Sequence, residues 1–168
     1  MKNFEFYKGL FDRELSRKTD IENSINIPIG IIALIFGTNY YLIKEFQSLD
    51  YCYLKILLMV IIISIMISIF FLAQSFNNLF IGFNYKNLPD TNDLRKYQTD
   101  LEKYNSEVSK KEKEKFEDYL INNFIVMTDN NLKINRKRLL SLYRGKTFMI
   151  ISFLFTTILG IIFLTNKF

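Results

Sequence analysis

The sequence predicts an all-α membrane protein, with three transmembrane helices and a cytosolic helical hairpin between the second and the third. Three observations predict it. The run Tyr53–Ala73 carries no charge beyond Lys55, and at about 20 residues it can cross ~30 Å of hydrocarbon at ~1.5 Å per residue. Two further apolar runs, 28–43 and 147–165, flank it at a distance. The basic residues gather outside all three runs. A buried helix of a water-soluble domain seldom stays apolar on every face for so long.

Composition narrows the chemistry. The 168 residues are 49% hydrophobic and 23% charged, yet the mean hydropathy is only +0.09 because apolar and charged blocks alternate. Heavy use of Ile, Phe, Asn and Lys suggests an AT-rich bacterial genome. There is no His and a single cysteine, Cys52. Neither an internal disulfide nor a His/Cys metal site can therefore be assembled, and no cofactor is expected. The net charge of +5 is what positively charged cytoplasmic loops produce, so it does not point to nucleic acid.

Residues 1–26 read as an amphipathic helix, cytosolic or interfacial. Phe4, Tyr7 and Phe11 form an aromatic stripe at i, i+3 and i+7. That stripe suits either the inner membrane surface or a later cytosolic helix. A signal peptide would place its apolar segment at once, whereas about 25 mostly polar residues come first here.

Residues 27–83 read as a transmembrane hairpin, with spans at about 28–43 and 53–73 and the second helix extending to about 83. Pro28 falls in the first turn, where its missing N–H costs little. Gly30 and Gly37 are seven residues apart on nearly one face of the first span, and Ser64 and Ser68 make a small polar stripe on the second. Lys44 to Cys52 is a short connection between them.

Residues 84–146 read as the cytosolic helical hairpin. Pro89 breaks the chain, and Asp90, Thr91 or Asn92 can cap the next helix. Leu94, Tyr97, Leu101 and Tyr104 follow the rhythm of a helical seam. The mixed charge run Lys110–Lys115 reads as a solvated helix surface. Phe116, Leu120, Phe124 and Met127 continue the helical spacing. Asn123, Asn130, Asn131 and Asn135 could set register between subunits, line a polar contact, or simply face water. From about Lys110 to Leu164 the second arm reads as one nearly continuous helix of roughly 80 Å. Gly145 is its expected weak point, at ~1 kcal/mol relative to Ala.

The third span, 147–165, carries Ser152, Thr156 and Gly160 at i, i+4 and i+8. Small-residue faces let helices approach closely in lipid. The helix-packing set Gly30, Gly37, Ser64, Ser68, Ser152, Thr156 and Gly160 therefore serves packing within the three helices or assembly into a homo-oligomer. Arg136, Lys137, Arg138, Arg144 and Lys146 form a basic collar before the last span, suited to anionic lipid headgroups.

Charge placement gives the orientation. Five basic residues precede the first span, and fourteen lie between Lys86 and Lys146. The loop between spans one and two has only Lys44 and Lys55, and Lys167 alone follows span three. The positive-inside rule then puts the N-terminus in the cytoplasm and the C-terminus outside the bacterial inner membrane. No mid-span ionisable residue marks an ion path, and no phosphate-binding glycine loop or nucleophile elbow appears. The expectation is a protein that is not an enzyme.

Three stretches together resemble a known group. They are Tyr7–Gly30 (YKGLFDRELSRKTDIENSINIPIG), Tyr85–Pro89 and Asn130–Leu142. Their arrangement resembles small few-span bacterial membrane proteins of the antiphage-defence type, the SLATT-like effectors. The resemblance implies non-enzymatic membrane damage triggered by a cytosolic protein partner or small signal acting on residues 84–146. A membrane-anchored adaptor that recruits a cytosolic partner through the hairpin is the alternative.

Overall fold

The computed structural model describes residues 2–45 and 52–167, and it contains helices, turns and one extended segment. The connection expected between spans one and two falls largely on 46–51, outside the described residues. The helices are α1 (Lys2–Asn23), α2 (Asn26–Glu45), α3 (Cys52–Asn77), α4 (Thr91–Glu107) and α5 (Phe116–Lys167). No strand occurs among the described residues. Among the described residues, three stretches are long and apolar enough to cross a membrane, as expected. The first is counted through α1 and α2 together, because only the turn at Ser24–Ile25 separates them. Pro28 accounts for that turn. It has no N–H to offer the Ser24 carbonyl, and its ring crowds the carbonyl four residues back.

The chain divides into two compact units, one of Met1–Lys18 with Asn84–Asn135 and one of Thr19–Phe83 with Arg136–Phe168. In the second unit, Ile32, Ile35 and Leu42 of α2 meet Leu54, Ile61, Ile65 and Leu72 of α3 and Leu142, Met149 and Leu159 of α5. These positions step by three, four, seven or ten residues, the spacing that keeps one helical face inward. The remaining faces of α3 are equally apolar but exposed, as at Ile62, Met66 and Phe70. Hydropathy therefore cannot tell inside from outside here; the buried serines Ser64, Ser68 and Ser75 do.

Gly145 is not a weak point. A Cβ there would lie 3.0 Å from both Cγ and Cδ2 of Leu72 and 3.4 Å from the Leu72 backbone nitrogen. Glycine is what lets α5 approach α3 this closely. The second helix of the hairpin also stops earlier than about 83. α3 ends at Asn77, and Asn78, Leu79 and Phe80 turn left-handed with φ of 44°, 54° and 77°.

In the first unit, the aromatic stripe of α1 meets a helix of the chain and not a membrane surface. Phe11, Phe124 and Met127 form a buried cluster, with Phe4, Tyr7, Leu15, Leu88 and Leu120 packed against it. Phe4 and Phe11 lie 5.7 and 5.5 Å from Phe124, centroid to centroid. Such aromatic pairs contribute about 0.5–1.5 kcal/mol each beyond area burial. Tyr97 of the α4 seam stacks on Tyr119 of α5 at 3.9 Å, and Leu101 is buried, but Tyr104 is largely exposed.

The α4–α5 connection differs from expectation. The charge run Lys110–Lys115 lies in the turn between the helices and not on a helix surface, so α5 begins at Phe116. A side-chain clasp closes this turn: Asn105 Nδ2 donates to the Glu114 carbonyl at 2.8 Å, and the Glu114 N–H donates to Asn105 Oδ1 at 3.0 Å. α4 starts after Asp90, whose side chain makes no capping bond.

The close approach at Gly145 gives a test. Alanine would gain ~1 kcal/mol of helix propensity, but overpacking a tight contact costs about 1–3 kcal/mol. Gly145→Ala should therefore lower the melting temperature in detergent. The same substitution made in a Leu72→Ala background, itself destabilised by the lost core side chain, should lower it by less. A stabilised Gly145→Ala variant would show that Leu72 moves aside freely.

Candidate functional site

Polar side chains concentrate in two clusters, one in each unit. In the first unit the extended segment that follows Gly82 has no strand to pair with. Backbone groups without water must find other partners, and asparagines of α5 provide them. Asn131 faces Lys86 in both directions: its Oδ1 accepts from the Lys86 N–H and its Nδ2 donates to the Lys86 carbonyl, each at 2.9 Å. Asn130 Nδ2 donates to the Asn84 carbonyl at 2.9 Å. The Tyr85 hydroxyl donates to Asn135 Oδ1 at 2.6 Å.

Asn135 carries the network to α1. Its Nδ2 donates to the Glu14 carbonyl at 2.8 Å and to Glu14 Oε2 at 3.1 Å. Glu14 is fully buried, and Arg17 Nη1 donates to its two carboxylate oxygens at 3.1 and 3.3 Å. Lys18 Nζ sits 5.1 Å above the Tyr85 ring. Buried carboxylates survive only when paired and hydrogen-bonded, and Glu14 has both. Chemically the cluster is a clamp that ties α1 and the segment around Lys86 to α5. Of the readings open for the asparagines, Asn130, Asn131 and Asn135 line a polar contact within the chain, and Asn123 bonds back to the Tyr119 carbonyl of its own helix.

In the second unit the central residue is Arg138, with 1% of its surface exposed. Its Nε donates to the Ser75 carbonyl at 2.9 Å, and Ser75 Oγ donates to the Arg138 carbonyl at 3.0 Å. Nη1 and Nη2 each lie 3.4 Å from Glu22 Oε1, and the guanidinium sits 4.9 Å from the Phe83 ring centroid. Glu22 is 39% exposed, so the ion pair itself falls toward the surface range of about 0–1 kcal/mol. The bond from the charged Nε to a buried carbonyl weighs more, at about 1.5–3 kcal/mol.

This placement corrects the basic collar. Arg138 is turned inward and unavailable to headgroups, because Ser75, Glu22 and Phe83 take up its guanidinium. Arg136, Lys137 and Arg144 are exposed and Lys146 is half-buried; Arg144 lies 5.6 Å from the Phe71 ring.

The helix-packing set separates into two groups. Ser64, Ser68, Ser152 and Thr156 are buried inside this chain. Ser68 Oγ donates to the Gly145 carbonyl at 2.8 Å, and Ser152 Oγ to the Met149 carbonyl at 2.8 Å. With those positions filled by their own chain, they are not free for a subunit contact. Gly30 and Gly37 are exposed and Gly160 is half-exposed; a Cβ at any of the three would meet nothing within 4 Å. Sequence reasoning missed Asn39, which is 5% exposed. Its Nδ2 donates to the Ile35 carbonyl at 2.8 Å and to Thr156 Oγ1 at 2.9 Å, joining α2 to α5. Its Oδ1 has no hydrogen-bond partner. The signal was available: Asn39 shares a face with Ile35 and Leu42, at i−4 and i+3.

Among the described residues no group of three or more His, Cys, Asp or Glu could hold a metal ion, and Cys52 is exposed with a free thiol. The chain matches no family model, no curated protein and no solved structure.

Two substitutions probe the clusters. Asn131→Ala should leave the Lys86 amide without its acceptor and cost about 1–3 kcal/mol; hydrogen exchange at that amide should accelerate while the Phe124 region stays protected. Arg138→Met keeps the length but removes the donors, leaving the Ser75 carbonyl without the Nε bond. Its melting temperature should fall more than that of Glu22→Gln, and an equal fall would show that the ion pair dominates.

Proposed function

We propose that this chain is a non-enzymatic integral protein of the bacterial inner membrane that acts as an oligomerising effector and perturbs that membrane. In this reading the N-terminus is cytoplasmic, the C-terminus is outside, and a protein partner or small signal acts on residues 84–146. The observation that carries it is the outer surface of the unit holding Thr19–Phe83 and Arg136–Phe168. Outward-facing side chains of α2, α3 and α5 are large and apolar along their lengths, among them Leu34, Met59, Met66, Phe153 and Ile161. Ser64, Ser68, Ser75, Ser152 and Thr156 face inward, while Thr38 and Thr157 are exposed with their hydroxyls bonded to their own helices. The small residues left outward include Gly30, Gly37 and Ala33. Gly160 lines an apolar groove of about 920 Å³ between α2 and α5, which in this reading receives a helix of a second copy. Gly30 and Gly37 leave a flat strip on α2, open to the same kind of contact.

Charge supports the orientation, since the basic-rich segments share one side only with three spans and a cytoplasmic N-terminus. Exposed Arg136, Lys137 and Arg144 remain suited to anionic headgroups, at about 1 kcal/mol each near the surface. A role in phage defence rests on the SLATT-like resemblance alone. The adaptor is the second reading, favoured by the segment that the asparagines hold extended with Lys86 and Asn87 exposed.

Expression from a tight promoter, with membrane potential followed by a dye, tests the proposal. Depolarisation is expected, and Gly160→Leu or the pair Gly30→Leu and Gly37→Leu should reduce both it and the cross-linked oligomer without lowering the melting temperature. Ser152→Leu should instead destabilise the chain itself. Oligomers that persist in all the glycine variants would remove the glycine contacts. A steady potential together with a cytosolic protein captured on residues 84–146 would favour the adaptor.

A further inference from the structure

The left-handed turn after α3 is at odds with a purely structural role. Three consecutive residues with side chains, Asn78, Leu79 and Phe80, take positive φ, followed by Gly82 at 81°. Asparagine tolerates that region, but leucine and phenylalanine enter it against the crowding of Cβ. Packing does not compensate, because none of the three residues Asn78–Phe80 is buried. Phe80 is 89% exposed and Ile81 85%. A turn facing water would favour Gly, Asn, Asp or Ser at its tip. This one shows two large apolar side chains.

The turn is held nonetheless. The Gly82 N–H donates to the Asn77 carbonyl at 3.1 Å, the Ile81 N–H to the Asn78 carbonyl at 3.3 Å, and Asn78 Nδ2 to the Gly82 carbonyl at 3.4 Å. Strain that persists with its apolar residues outward is strain that serves what lies outside.

Position identifies the occupant. The uninterrupted apolar run of α3 ends at Ala73, and the helix continues only four residues further, to Asn77. At ~1.5 Å per residue that is about 6 Å, within the headgroup layer that borders ~30 Å of hydrocarbon. The exposed apolar face of α3, with Ile62, Met66, Ile69 and Phe76, leads without a charged residue into Phe80 and Ile81. We propose that the Leu79–Ile81 turn is an interfacial wedge, which places Phe80 and Ile81 at the boundary between headgroups and acyl chains and anchors the end of α3 in one leaflet. This rests on the reading that α3 crosses a membrane.

The chain has no tryptophan, so Phe80→Trp creates a single fluorescent reporter at an exposed position. Met66→Trp, on the exposed face midway along α3, reports on the span itself. Each full-length variant is reconstituted in phosphatidylcholine–phosphatidylglycerol vesicles whose acyl chains are brominated either near the carbonyl or near the methyl end. Trp at position 80 should emit blue-shifted from its value in water, resist iodide, and be quenched most by the shallow bromines. Trp at position 66 should be quenched most by the deep ones. Iodide quenching at 80 with no bromine quenching, while 66 responds to deep bromine, would overturn the wedge and leave the span standing. A failure at both positions would overturn the span, and the wedge with it. Gly82→Ala added to Phe80→Trp forces a Cβ into φ of 81° and should shift quenching at position 80 from shallow bromine toward iodide. Unchanged shallow quenching there would show that the left-handed geometry does not place the tip.

Discussion

Two serines of α3 donate to two carbonyls of α5, Ser68 to Gly145 and Ser75 to Arg138. Their spacing is seven residues on both helices, in opposite directions, so the two bonds fix a single antiparallel register. Much else in that unit depends on it. In this register Gly145 faces Leu72, where no side chain would fit, and Arg138 reaches the Ser75 carbonyl. A slip of one turn would leave a buried guanidinium without an acceptor and press a larger residue against Leu72. Apolar packing alone could not specify this, because neighbouring faces of α3 are equally rich in isoleucine. Where water is scarce, a few hydrogen bonds and one missing side chain choose among packings of nearly equal apolar area.

How much of this could be read from the chain beforehand varied with the kind of signal. The three apolar stretches and the start of the first span near Pro28 were legible, because length, charge exclusion and proline's missing N–H are properties of the sequence itself. The inward face of α3 was half legible: the serines stood out as small and polar, but whether they meet another helix of the chain or another copy is a question of partners. Arg138 was hidden by its company. It stands in Arg136-Lys137-Arg138, and helical spacing alone turns the third of these toward α3 while its neighbours face outward.

The asparagines of α5 were conspicuous, yet their role was not. An amide on a helix can meet water, another subunit or a stretch of extended backbone, and only the path of the chain after Gly82 decides. The end of α3 was misjudged because Leu79, Phe80 and Ile81 prolong the apolar run, and hydropathy does not register a change of handedness. The charge run Lys110–Lys115 misled in the opposite way. Mixed charges suit a helix surface, but Asn105 and Glu114 close a turn there through side-chain bonds that no periodicity reveals.

The pairing of Asn131 with Lys86 bears on how this chain can change over generations. An amide side chain offers a donor and an acceptor side by side, and here both are used on the backbone of one residue, Lys86. Aspartate has nearly the same outline and lies one nucleotide away, so it is ordinarily among the mildest of replacements. At this position one carboxylate oxygen would still accept from the Lys86 N–H, but the other would be set against the Lys86 carbonyl oxygen, and a charge would be added within a buried site. Chemical similarity and tolerance thus part company at residue 131, and drift there is confined more tightly than the variety of polar residues around it implies.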